Sequence, residues 1–169
     1  MAATRTNVVF GVGNPAAGLM LVGEGPGRDE DLAGEPFVGR SGKLLDRLLA
    51  EELGFDRTHC YIANVVKCRP PNNRDPLPDE IASCRPYLDD QVRLISPRVL
   101  LTLGNFASRT MLATTEGITR LRGRSYPFGD TATVLIPTFH PAAALRGGGE
   151  VVAKMRADFV RARQALLTA

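Results

Sequence analysis

Tryptophan is absent from the 169-residue chain, histidine occurs twice and cysteine three times. No stretch approaches the ~20 consecutive apolar residues that cross a bilayer, so no membrane span is expected. Residues 1–20 lack a basic-then-apolar leader, so the expected location is the cytoplasm. An odd, small number of cysteines argues against a disulfide-stapled scaffold. Neither sign of charge dominates: 21 basic residues face 18 acidic ones, a net +3. Lysine is scarce, standing only at 43, 67 and 154, so the other 18 bases are arginine. Guanidinium forks match phosphate geometry and never lose their charge. A GC-rich genome produces the same bias, so composition permits nucleic acid binding without establishing it.

What is present is a globular composition, 44% apolar and 23% charged, which excludes a disordered chain, a coiled coil and a collagen-like repeat. The length suits one domain spanning 1–169, with no linker and no internal repeat. Four short apolar runs, Gly18–Glu24, Cys60–Val66, Arg98–Gly104 and Thr133–Pro137, read as buried strands. Helical patterns follow them. The first starts at Ser41 as N-cap, carries Leu44, Leu45, Leu48, Leu49 and Leu53 on one face, and stops at Gly54. The second opens on Pro78-Asp79-Glu80 and must bend or divide at Pro86. A short helix runs from Asn105 to about Leu112. The last runs from about Glu150 to Leu167, with a seam of Val152, Met155, Phe159, Ala162 and Leu166. Residues 67–77 and 117–130 read as loops. Strand-then-helix alternation predicts an α/β fold, a three-layer α/β/α sandwich around a four-stranded, mostly parallel sheet.

Ligands of such folds bind at the carboxyl ends of the strands. Glu24–Gly27, Asn64–Arg69, Gly104-Asn105 and His140-Pro141 stand there. The run Gly23-Glu-Gly-Pro-Gly27 allows close backbone approach, yet its acids (Glu24, Asp29, Glu30, Asp31) and its spacing fit neither a Walker loop nor a dinucleotide fingerprint. Phe37, in a glycine-rich loop, is either a lid residue or a stacking platform. His59 lies at a turn and reads as merely exposed; His140 follows a strand at the ligand edge. Cys68 and Cys84 alone cannot complete a metal site.

Taken together, Val9–Pro15, Gly23–Gly27, Pro36–Gly39, Asn64–Pro71, Leu103-Gly104 and Phe139–Pro141 resemble the family 4 uracil-DNA glycosylases, the iron–sulfur type. The resemblance implies hydrolysis of the N-glycosidic bond of deoxyuridine in DNA, with free uracil as product and a monomer as the acting unit. It places the uracil pocket on Gly23, Glu24, Gly25, Phe37, Asn64 and His140. Phe37 would stack on the flipped base, Asn64 would pair with its edge, and His140 would donate to O2 as uracil departs. Glu30, and after it Glu24, are the candidates for positioning water and offsetting a cationic sugar. Ser41, Lys43, Arg69, Arg74 and Arg146 are the candidates for the DNA backbone.

The same resemblance implies a [4Fe-4S] cluster on four cysteines. Cys68 and Cys84 match the last two, but no close pair precedes them, and Cys60 is a poor substitute. Thr4-Arg5-Thr6 is similar to the family's stretch just after that missing pair. The expectation is therefore a chain that starts late, lacking an N-terminal ligand segment, ahead of a branch that lost its cluster. The cluster's expected role is structural. A DNA cross-linking relative is disfavoured because Arg69–Asp75 contains no histidine. A uracil-DNA or single-strand DNA binding protein of the same fold, without glycosylase chemistry, is the alternative reading.

Overall fold

The structure, a computed structural model, describes residues 1–168. Four strands run parallel: β2 (Leu19–Gly23), β3 (Tyr61–Asn64), β4 (Val99–Leu103) and β6 (Val134–Thr138). Two further strands of two residues each, β1 (Val12–Gly13) and β5 (Tyr126–Pro127), pair antiparallel at the edges. The order across the sheet is β1-β3-β2-β4-β6-β5. The four predicted strands are therefore present, and the sheet is six-stranded because each edge gains a short closing ribbon. These ribbons have too few residues for an alternation to be read.

Side chains alternate across the strands and sort into two cores. Leu19, Leu21, Ile62, Val99, Leu101 and Ile136 meet α2 (Arg40–Leu48) and α6 (Pro141–Leu167). Met20, Val22, Ala63, Leu100 and Leu135 meet α3 (Pro78–Ile95) and α4 (Asn105–Leu112) on the other face. The three-layer arrangement follows from this period of two. The small helices α1 (Arg28–Ala33) and α5 (Ile118–Leu121) lie in the connections from β2 to α2 and from α4 to β5.

Several boundaries differ from the sequence expectation. Helix α2 is capped by Gly39, not Ser41, because the Glu30 carboxylate accepts from Val38 N–H at 3.1 Å and Gly39 N–H at 3.3 Å. Helix α3 runs unbroken through Pro86. Pro86 and Ala82, whose carbonyl loses its helical partner, both face solvent, where water can satisfy it. Helix α6 begins at Pro141 rather than near Glu150 and breaks at Gly148, whose φ is 69°. Its seam is as expected, with Met155, Phe159 and Ala162 fully buried. The loop 117–130 contains α5 and β5.

Strand order places β2 between β3 and β4, so the chain passes from one side of β2 to the other after α3. A crevice opens at the carboxyl ends where such a switch occurs. Among the described residues no helix is long and apolar enough to cross a membrane.

Candidate active site

The carboxyl ends of β2, β3, β4 and β6 converge on one cavity of about 920 Å³. Register builds its floor. Gly23 of β2 lies opposite Asn64 of β3, and Val65 and Val66 donate onward to the Gly23 and Glu24 carbonyls at 2.9 and 3.0 Å. The Asn64 side chain enters the cavity with 2% of its surface exposed, and its Oδ1 accepts no hydrogen bond. An unpartnered buried amide oxygen is costly unless a ligand donor meets it.

Gly23 has no alternative here. A Cβ on it would stand 2.5 Å from Asn64 Oδ1 and 2.6 Å from Phe37 Cζ. Phe37 itself lines the cavity, with its ring centroid 5.6 Å from that of His140 and the planes inclined at 33°. Asn64 is also tethered through its main chain. The Lys67 ammonium donates to the Asn64 carbonyl at 2.9 Å and to Gln91 Oε1 at 2.5 Å, while Gln91 Nε2 donates to the Phe10 carbonyl and Tyr61 Oη. Burial holds the Lys67 amine down to about 8.

His140 is the N-cap of α6, and its Nδ1 accepts the Ala142 N–H at 3.1 Å. That bond fixes the tautomer: Nδ1 carries a lone pair, so the proton sits on Nε2 as a donor. Burial, with the Arg146 charge in support and Glu30 opposing, lowers the imidazole to about 4. The ring is neutral at pH 7 and still a hydrogen-bond donor.

The acids divide between two neighbourhoods. Glu30 lines the cavity, close enough to His140 to influence its proton, and accepts from Gly27, Val38 and Gly39 N–H groups. Three donors on two oxygens leave about one lone-pair direction free. Glu24 faces the proline-rich loop; burial and then Asp75 push its carboxyl up, and it accepts no hydrogen bond from a described residue.

Of the candidates for the DNA backbone, Ser41 and Arg146 line the cavity. Arg74 lines it too, but its fork is held by Glu80 at 2.8 and 2.7 Å, which steadies the loop ahead of α3. Lys43 is exposed in α2 beyond the cavity wall, and Arg69 donates to Asn73 Oδ1. Gly25 lines the cavity wall beside Pro26. Sequence reasoning missed Arg109 and Ile118 on the opposite wall. The strand-end rule pointed to Asn105, and Arg109 lies one turn further along α4.

Cys68 and Cys84 border a second cavity, of about 520 Å³, with Arg5, Lys67 and Met1. Arg5 Nη1 lies 2.9 Å from Cys68 Sγ, and the Lys67 N–H lies 3.4 Å from Cys84 Sγ. Cys60 packs in the core on the opposite face from Cys84 and cannot join them; burial pushes its thiol up to about 12. Among the described residues no three His, Cys, Asp or Glu side chains are grouped to hold a metal. Two thiols, one meeting the Arg5 guanidinium and the other a backbone N–H, do not fit a four-thiolate cluster as a complete site.

The family model for the uracil DNA glycosylase superfamily matches residues 10–167. The chain belongs to this superfamily. It is 48% identical over 147 residues to the type-4 uracil-DNA glycosylase of Sulfurisphaera tokodaii, covering 83% of this chain and 67% of that one. To the type-4 enzyme of Archaeoglobus fulgidus it is 48% identical over 149 residues, covering 84% and 74%. To that of Saccharolobus solfataricus it is 44% identical over 168 residues, covering 96% and 77%. The superfamily match takes in all four parallel strands and hence every strand end that lines the cavity.

Proposed function

We propose that this chain is a uracil-DNA glycosylase that hydrolyses the N-glycosidic bond of deoxyuridine in DNA, releasing uracil and leaving an abasic site. The observation that carries the assignment of roles is the buried, unpartnered Asn64 Oδ1 in the cavity that the Phe37 ring and a neutral His140 also line. A base must leave the duplex stack to reach such a depth. The Phe37 ring offers it a stacking face. Asn64 Oδ1 accepts from N3–H while the amide nitrogen donates to O4; cytosine presents the reverse pattern at that edge and leaves the buried amide mismatched.

As the glycosidic bond breaks, negative charge gathers on uracil and positive character on the sugar. The His140 Nε2–H, aimed from the end of β6, stabilises the charge on O2 as it develops, which lowers the barrier. Being neutral, the ring donates without first demanding a proton from solvent. Glu30, held rigid by three N–H groups and adjacent to His140, offsets the sugar's charge and orients water with its remaining lone pair. Glu24 is its second. Ser41, Lys43 and Arg146 take the phosphates near the flipped nucleotide; Arg69 and Arg74 support the loop that borders it. A family iron–sulfur cluster would draw Cys68 and Cys84 here. No step of the reaction is assigned to it.

The test is excision from a labelled oligonucleotide bearing one deoxyuridine, read as alkali-dependent cleavage, with thymine and cytosine controls. Cleavage at uracil alone is expected. Tight retention of the uracil strand without cleavage would overturn the reading in favour of a binding protein. Glu30→Gln is expected to slow single-turnover excision by on the order of 10²-fold while DNA retention changes little; an unchanged rate would remove Glu30 from the chemistry and pass its role to Glu24.

A further inference from the structure

Phe37 holds a left-handed backbone conformation, φ 55°, that a non-glycine residue adopts only when its surroundings enforce it. Its main chain is pressed against α2 where that helix has Gly42: a Cβ there would lie 1.8 Å from the Phe37 carbonyl oxygen. Among the described residues that carbonyl accepts no backbone N–H. Arg57 meets it. From the 3₁₀ turn Arg57–His59, outside the cavity wall, the guanidinium donates from Nη2 to the Phe37 carbonyl at 2.7 Å and from Nη1 to the Pro36 carbonyl at 3.3 Å. Its Nε donates to Asp46 Oδ1 of α2 at 2.8 Å, and three-quarters of the side chain is shielded from solvent. One planar fork thus ties the loop before Phe37, the helix behind it and the turn leading into β3.

We propose that Arg57 is the positioning residue for the Phe37 ring, setting its height above the flipped base and thereby the affinity for uracil. The proposal rests on the reading of Phe37 as the stacking platform. Arg57 touches no substrate; it acts by satisfying two carbonyls that the left-handed turn would otherwise leave without donors. Lysine can replace it only in part, because a single ammonium has no planar fork to span both oxygens.

The experiment compares Arg57→Met, Arg57→Lys, Phe37→Ala and the Arg57→Met/Phe37→Ala double variant. The readout is inhibition of excision by free uracil, measured below each variant's unfolding temperature. Phe37→Ala and Arg57→Met should each weaken uracil inhibition on the order of tenfold, Arg57→Lys should weaken it less, and the double variant should match Phe37→Ala alone. A lost stability contact unconnected to stacking would lower the melting temperature and leave the inhibition constant in place. Wild-type inhibition in Arg57→Met beside a weakened Phe37→Ala overturns the proposal, as do additive effects in the double variant. Unchanged inhibition in Phe37→Ala overturns the stacking reading and the proposal with it. Should Arg57→Met fail to fold, Arg57→Lys paired with Phe37→Ala gives the same coupling comparison.

Discussion

At His140 the backbone of one helix decides the chemistry of one side chain. Because Nδ1 caps α6, the ring proton sits on Nε2, and burial, with the Arg146 charge in support, disfavours the imidazolium. The folded pKa, about 4, lies below the ordinary imidazole value of 6.5. The unfolded chain therefore takes up this proton before the folded one does. The stabilising effect is complete above about pH 6.5 and is lost as pH falls toward 4. Thermal melts across that range should show a decline that His140→Gln flattens, the two proteins running parallel above pH 6.5. Excision should not lose its donor through the window in which an exposed histidine would titrate.

Residue-scale legibility was uneven for a physical reason. Asn64 and His140 were flagged by standing at strand ends, while Phe37 read equally as a lid residue until the resemblance assigned the roles of all three; in the fold Phe37 is buried against the core. Glu30's grip on Gly27, Val38 and Gly39, and Arg57's on Pro36 and Phe37, depend on chain segments meeting in space. No local pattern announces such a meeting.

Among the elements, α2 is where local preference and tertiary demand part. A serine beside a leucine stripe reads as an N-cap, yet the helix starts at Arg40 because a carboxylate from α1 serves its entrance. The same helix contains Gly42, which intrinsic preference would replace by alanine at a gain of about 1 kcal/mol. Here the added methyl would collide with the Phe37 carbonyl. Gly42→Ala is therefore expected to lower the melting temperature and depress uracil excision together; a more stable, fully active variant would show that the loop has room to retreat. The four parallel strands were readable because each is a short apolar run, with a glycine or proline at an end of every one except Cys60–Val66. The edges were not, since β1 and β5 contribute two residues each.

For the whole molecule, the α/β class followed from alternation alone, and the crevice from the strand-end rule. The second cavity beside Cys68 and Cys84 did not. It is composed of the N-terminal segment, the loop after β3 and α3, and only their packing brings them together. A modest net charge of +3 with arginine-rich surfaces predicts DNA binding that weakens with salt. Arg146, which lines the active cavity and has no ion-pair partner among the described residues, should contribute one phosphate contact. Arg146→Ala is expected to reduce the slope of log affinity against log salt by about one unit and to weaken uracil and thymine oligonucleotides alike. Selective loss for the uracil strand would instead place Arg146 at the base.

The pairing of Gly23 with Asn64 also governs when in folding the pocket comes into being. These residues are adjacent only after β2 and β3 have joined across α1, α2 and their connections. Parallel pairing of that separation is late and slow compared with helix formation. A refolding chain with its helices in place but its sheet unjoined holds no base-sized slot. Recovery of excision should lag the helical circular-dichroism signal, making catalysis itself a clock for closure of the sheet.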